Sequence, residues 1–497
     1  MRIHKLVFTF LALIFLVSCS DENNKQSKET SVFDEKNLSK LTEDELKVLL
    51  RMRNPKNRVS IKEAEEQTDW VINFMNVGGS GEGRKISSIS ALTSDNAEFA
   101  KALKSKGIEV PDTLIYVVNF ADSLGFAIIS ADTRIDDPLI GFSGSGSLKD
   151  SIDNPGMVIF LEHLEDYMQN SIIEAERQKD SLIGGIWEKL DAETGTKASS
   201  KEERDAIKAA IKGSYKMDTT EFITPLVHVE WNQEAPFNNN LKNNKCPSGK
   251  NKAGCTAVAV AHIMSYWNHP DKIGKYSFDW AELNKYTGNT KPPPYYGMAQ
   301  INISSASASI QSQVANLMER IGNGVNMNYG CKGSYSGTKF SGAKFLLENG
   351  FLLQRMASAY YIPELINYDS KKAIASMKRR EPLIISGCDE KINNPKLLGF
   401  IPVSPSYDGC HEWVIDGLLA RKFTITNIET KKTDVLFAED YINHNWGWWD
   451  GGHNGYFKSG VFDAHSTPIN PVPKETKSNQ EYNFQYNVKM TPYIRRK

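Results

Sequence analysis

Gly254-Cys255-Thr256-Ala257-Val258-Ala259-Val260-Ala261-His262-Ile263-Met264-Ser265-Tyr266-Trp267 sets a cysteine between a glycine and a run of small and apolar helix formers. The pattern predicts a helix that begins at Cys255 and is buried, because its alanines and valines face every side. A thiol in the first turn meets unpaired main-chain N–H groups and the positive end of the helix dipole, so a depressed pKa is expected. The same stretch also suits a structural cysteine, or half of a disulfide with Cys246. Local sequence leaves these readings open.

A nucleophilic thiol needs a base, usually histidine. His262 follows on the same helix face, but at about 1.5 Å per residue it lies roughly 10 Å away, too far for proton transfer. It is expected to be a core or helix-face histidine. His411, in Gly409-Cys410-His411-Glu412-Trp413-Val414-Ile415-Asp416-Gly417, opens an alternating β-branched run, a strand that would hold the ring rigidly. Further on, Asn443-His444-Asn445-Trp446-Gly447-Trp448-Trp449 offers Asn445 to fix the imidazole tautomer and a tryptophan to shield that bond. Taken alone, a Trp-rich patch also suits a sugar-binding or core cluster. Upstream, Gln233 supplies a side-chain amide donor that, with the Cys255 N–H, suits an oxyanion hole.

The order Gln233, Cys255, His411, Asn445 is that of papain-like hydrolases. The pieces resemble the streptopain family of bacterial cysteine peptidases more closely. They are Trp-Asn-Gln-x-x-Pro-Phe-Asn at 231–238, Gly-Cys-Thr-Ala-x-Ala-x-Ala at 254–261, Ile-Met-x-Tyr-Trp at 263–267, Val-Asn-Met-Asn-Tyr-Gly at 325–330, His-x-x-Val-Ile-Asp-Gly at 411–417 and Asn-Trp-Gly-Trp at 445–448. The stretches at 116–120, 125–132 and 140–143 resemble that family's inhibitory prosegment. The resemblance implies Cys255 as nucleophile, His411 as general base and acid, Gln233 in the oxyanion hole, and Asn445 and Trp446 orienting and shielding the ring. The chain departs from the family at His262, Cys410 and Trp449, and in an extra loop, Asn393–Gly409.

The fold expected is α+β: a small α+β prodomain, then a papain-like catalytic domain with a helical part and an antiparallel sheet part. Helices are read at Asn37–Met52, Ile61–Met75 and Gly156–Glu176, and strands at 113–120, 125–130 and 138–142. Lys179–Met217 is charged, with a short helical stretch at Lys201–Lys212, and reads as a nickable linker. The expected division is signal peptide 1–18, tether and first helix 19–55, prodomain 56–178, linker 179–220 and peptidase 221–497.

Arg2 and Lys5 precede an apolar run of about a dozen residues, too short to span a bilayer but right for an export signal. It ends Leu16-Val17-Ser18-Cys19, which resembles a bacterial lipobox and implies lipidation of Cys19. The expected location is the bacterial outer membrane by lipid anchor, at the cell surface or released after processing. Lys and Arg total 59 against 60 Asp and Glu, so neither a nucleic-acid footprint nor a polybasic membrane patch is present. Nine Trp, nineteen Tyr and twenty-two Phe exclude a largely disordered chain. With no Cys-x-x-Cys pair, no metal site is expected, and no cofactor. Pairing among Cys246, Cys331, Cys388 and Cys410 is open.

The function expected is a secreted, lipid-anchored cysteine endopeptidase made as a zymogen, with protein or peptide substrates and its own prodomain as inhibitor. The rivals are a noncatalytic surface-binding lipoprotein on the same scaffold and a Cys–His amidase acting on cell-wall peptide.

Overall fold

The computed structural model describes residues 41–76, 83–94, 97–148, 152, 154–194, 215–288, 299, 301–336, 341–353, 366–388, 396–397, 401–402, 410–426, 433–448, 453–463 and 488–497. The expected signal peptide, Cys19, the helical stretch Lys201–Lys212 and Trp449 lie outside the described residues.

The amino-terminal half begins with α1 (Glu43–Arg51) and α2 (Ile61–Asn76). Thr42 and Glu45 form a reciprocal capping box that starts α1. An antiparallel meander follows: β1 (Ile86–Leu92), then α3 (Ala97–Lys104), β2 (Ile115–Phe120), β3 (Phe126–Ser130) and β4 (Leu139–Ser143). Both β2 and β3 are buried along their whole length. Side chains alternate across a strand, and here the alternation divides them between two cores. Ile115, Val117, Phe126 and Ile128 face the long helix α4 (Pro155–Thr194), whereas Tyr116, Val118, Ala127 and Ile129 join Val71 and Met75 of α2.

Helix α4 runs well past Glu176, through the first part of the segment read as linker. The reason is Ile186 and Leu190, which continue the helical spacing among the charges and are buried, while Lys189 ion-pairs with Glu45 of α1. The other end of that segment is also ordered. Residues Tyr215–Ile223 form β5, paired to a strand of the second half. Only 195–214 remain outside the described residues.

The second half carries helix α5 (Cys255–Trp267), α6 (Ala308–Gly324), α7 (Ser341–Glu348) and α8 (Ser370–Lys378). Its sheet contains β6 (Leu383–Cys388), β7 (Cys410–Thr426), β8 (Thr433–Asn445), β9 (Gly455–Lys458) and β10 (Lys489–Thr491). Helix α5 is buried from Thr256 to Ser265 and packs with α6 and Phe345 of α7 in one core, with Ile384 and Val414 of the sheet. The result is a helical part and an antiparallel sheet part meeting along α5 and β7.

The two halves share one sheet. Its order is β1-β2-β3-β4-β9-β8-β7-β6-β10, ending on the two-residue strand Ile366–Asn367, with β5 alongside β7. The seam is β4 against β9, where Ser143 faces Gly455 and Phe142 faces Tyr456. Sequence reading separates the halves. It does not reveal this continuity, because strand pairing across 300 residues leaves no local signal.

Candidate active site

Gly254 has φ +95°, and a Cβ there would press on the Met327 side chain, so the turn that delivers Cys255 to the helix start requires glycine. Cys255 is half-buried and is the free cysteine among the described residues. Cys246 is bonded instead to Cys331, which removes the reading of Cys255 as its disulfide partner. Cys410 is also disulfide-bonded and sits across the β6–β7 ladder from Cys388.

Gln233 is brought to the same turn. Its Oε1 accepts from the Gly254 N–H at 3.1 Å, and its carbonyl accepts from Ala253. The side-chain amide of Gln233 is thereby held on the residue that precedes Cys255. The loop bearing Gln233 is anchored by His262, whose buried Nε2 accepts from Trp231 N–H at 3.0 Å. Burial holds His262 down to about 3, so it is a neutral acceptor and a core histidine.

His411 stands at the start of β7, buried. Its Nε2 is 2.7 Å from the Trp446 carbonyl oxygen, which only accepts, so Nε2 carries the proton and Nδ1 is the lone-pair nitrogen. Burial pushes the ring down to about 4, partly countered by that carbonyl. Trp413 stacks on the imidazole at 5.7 Å, and Trp448 meets it edge-on at 5.9 Å.

Two expectations are corrected here. Asn445 does not hold His411: its Nδ2 donates to the Val229 carbonyl at 3.0 Å, and its Oδ1 accepts from Gly447 N–H. The neighbouring main chain supplies the acceptor instead. Nor does the Trp446 ring cover the imidazole. It packs on His444 at 4.5 Å and Trp413 at 5.2 Å, and donates its N–H to the His453 carbonyl. Trp446 and Trp413 are buried core side chains, whereas Trp448 is half-buried.

The thiol also differs from its expected state. Burial pushes Cys255 up to about 11, and the Glu412 carboxylate adds to the rise. Main-chain N–H groups of Glu412 and Thr256 act the other way. The sulfur therefore lies against the residue that follows His411, yet thiol and imidazole form no hydrogen bond and both are neutral. The helix dipole is outweighed by desolvation and a like charge. Glu412 itself escaped the sequence reading, since it fills a variable position of the histidine motif. Its Oε2 accepts from Thr256 Oγ1 at 2.5 Å, linking the strand of the histidine to the helix of the cysteine.

Residues 231–457 match the Peptidase C10 family, and residues 86–168 match the Spi protease inhibitor family. The chain is 24% identical over 387 residues to streptopain of Streptococcus pyogenes, spanning 74% of this chain and 86% of that one. Solved structures that resemble it are a prointerpain A fragment from Prevotella intermedia (19% identity, TM-score 0.41, 78% of this chain and 96% of that one) and active interpain A from the same organism (21%, TM-score 0.30, 48% and 87%). The chain is a cysteine peptidase with an inhibitor-type prodomain. In the matched region the pieces named in the sequence, Gln233, Cys255 and the start of β7, converge on one turn, and helix α4 shares a core with Trp413 and Trp446.

Proposed function

We propose that this zymogen is an exported, lipid-anchored endopeptidase whose chemistry is a Cys255–His411 dyad. In the active form Nδ1 of His411 takes the Cys255 proton, and the thiolate attacks a peptide carbonyl. The Gln233 NH2 and the Cys255 N–H stabilise the oxyanion. His411 then protonates the leaving amine, and water hydrolyses the thioester. The observation that carries the reading is a free thiol at a helix start, with a glutamine amide fixed beside it by the preceding N–H. A neutral thiol and a neutral imidazole with no hydrogen bond between them are consistent with an uncleaved precursor.

Activation by cutting within 195–214 would separate the halves. Wild-type chain is expected to shorten from 55.7 kDa to about 32–34 kDa, while Cys255→Ala stays intact. Processing of the alanine chain at the wild-type rate would overturn the dyad. A thiol-directed epoxide should label the processed protein at Cys255 alone. For the anchor, Cys19→Ser is expected to move the protein from the membrane fraction to the soluble one, and an unchanged partition would count against lipidation.

A further inference from the structure

Glu412 is a carboxylate with an unexplained charge. It is half-buried, as is Cys255. Among the described residues its oxygens receive one hydrogen bond, from Thr256, and no lysine or arginine pairs with it. From helix α5 the groups facing it are Cys255 and Thr256, and from α7 it is Gly342, where a Cβ would lie 3.2 Å from Oε1. From β6 it is Ser386, directly across the ladder. The titratable one among them is the Cys255 thiol, whose ionisation the carboxylate opposes.

A purely structural link from β7 to α5 does not need that charge. A glutamine would accept the Thr256 hydroxyl equally well, without the cost of a half-desolvated anion or the repulsion of a nucleophilic thiolate. A cation arriving with the substrate resolves both penalties: it pairs with the carboxylate and removes the field that disfavours the thiolate. We infer that Glu412 is a specificity-determining residue, selecting peptides with a lysine or arginine side chain within one or two residues of the scissile bond. The short range follows from position. Glu412 adjoins His411 in sequence, its N–H faces the Cys255 sulfur, and its carboxyl rests on the residue after the nucleophile. The chain's own linker fits this chemistry, with Lys197, Lys201, Arg204, Lys208 and Lys212.

The inference rests on the reading of Cys255 as the nucleophile, and the test separates the two. Full-length chain is allowed to process itself, then given fluorogenic peptides that differ only by arginine or norleucine at each position around the scissile bond. Wild type should prefer arginine at one position by about 10- to 100-fold in kcat/KM, the range of a charge-assisted hydrogen bond. Glu412→Gln should reduce that ratio to near one. A protonated carboxyl cannot pair with arginine, so the wild-type ratio should also fall on acidification as Glu412 takes up its proton, which keeps the test decisive if the variant does not fold. Equal ratios in wild type and variant, or no position with an arginine preference, would overturn the inference. Absence of both peptide cleavage and epoxide labelling at Cys255 would instead overturn the dyad.

Discussion

Gly156, in the first turn of α4, faces Trp446 so closely that a single methyl group would overlap the indole ring. Trp446 is also the residue whose carbonyl holds the imidazole of His411, so the prodomain rests directly on the segment that sets the histidine. Gly156→Ala should therefore cost about 1–3 kcal/mol through overpacking and speed processing. The check is a thermal melt on a Cys255→Ala background, with processing followed separately in otherwise wild-type protein. Gly184→Ala, in the same helix with nothing within 4 Å, should melt at or above wild type. Equal melting of the two variants would show that Gly156 does not mark a contact under load.

A buried ion pair ties the halves together further along the sheet. Arg421 of β7 and Asp137, just before β4, are both fully buried and lie 3.1 Å apart. Trp70 covers the guanidinium at 4.3 Å, and Tyr441 donates its hydroxyl to the same carboxylate at 2.6 Å. Removing one partner leaves an uncompensated buried charge, so Asp137→Ala should destabilise the full-length chain by about 3–5 kcal/mol. Replacing both, as Asp137→Leu with Arg421→Met, should recover most of the loss. Denaturant unfolding of the three proteins, each carrying Cys255→Ala, decides it; a double variant as weak as the single one would contradict the charge argument.

The parts of this protein governed by local pattern are legible in the sequence. The glycine and alanine-rich run places α5 at Cys255, β-rich runs on either side of a short turn place β2 and β3, and an alternating β-branched run places the start of β7. What escapes is set by groups distant in sequence. Helix α4 outruns its reading because the partner that buries Ile186 and Leu190 is not adjacent to them in sequence. Asn445 looks like the partner of His411, but its amide is satisfied by Val229, over 200 residues away, and the bond to His411 comes from a main-chain oxygen that no residue type advertises. The raised thiol reverses the helix-dipole argument because burial and Glu412 arrive through packing.

The Cys246–Cys331 bond closes a separation of 85 residues around the glycine turn. Its far end lies beside Gly330, whose carbonyl accepts from Lys252 N–H, three residues before the nucleophile. Loop-closure entropy gives such a crosslink about 4–5 kcal/mol in the chain-entropy account. Cys246→Ser with Cys331→Ser should lower the denaturation midpoint and raise susceptibility to added protease at 240–252. An unchanged midpoint would mean that the described contacts around the turn suffice without the crosslink.

In the intact chain the thiol at position 255 should behave as a thiol. Its pKa is raised to about 11, so the thiolate is scarce at neutral pH, and alkylation by iodoacetamide should quicken about tenfold per pH unit from 7 to 9. The sign follows from the causes. Burial and the neighbouring carboxylate both disfavour the anion, and the imidazole of His411, lowered to about 4, holds no positive charge with which to pair. The processed enzyme, in which the proposed dyad needs a thiolate, should react faster at pH 7 and much less steeply with pH. Intact-mass spectrometry at short times follows both species in one sample. In the uncut species, Glu412→Gln should bring the midpoint down, because it removes the second cause and leaves the first. A rate that is flat from pH 6 to 9 in uncut protein would show that the thiolate exists before activation, and would shift the restraint on this enzyme from its ionisation state to the exclusion of substrate.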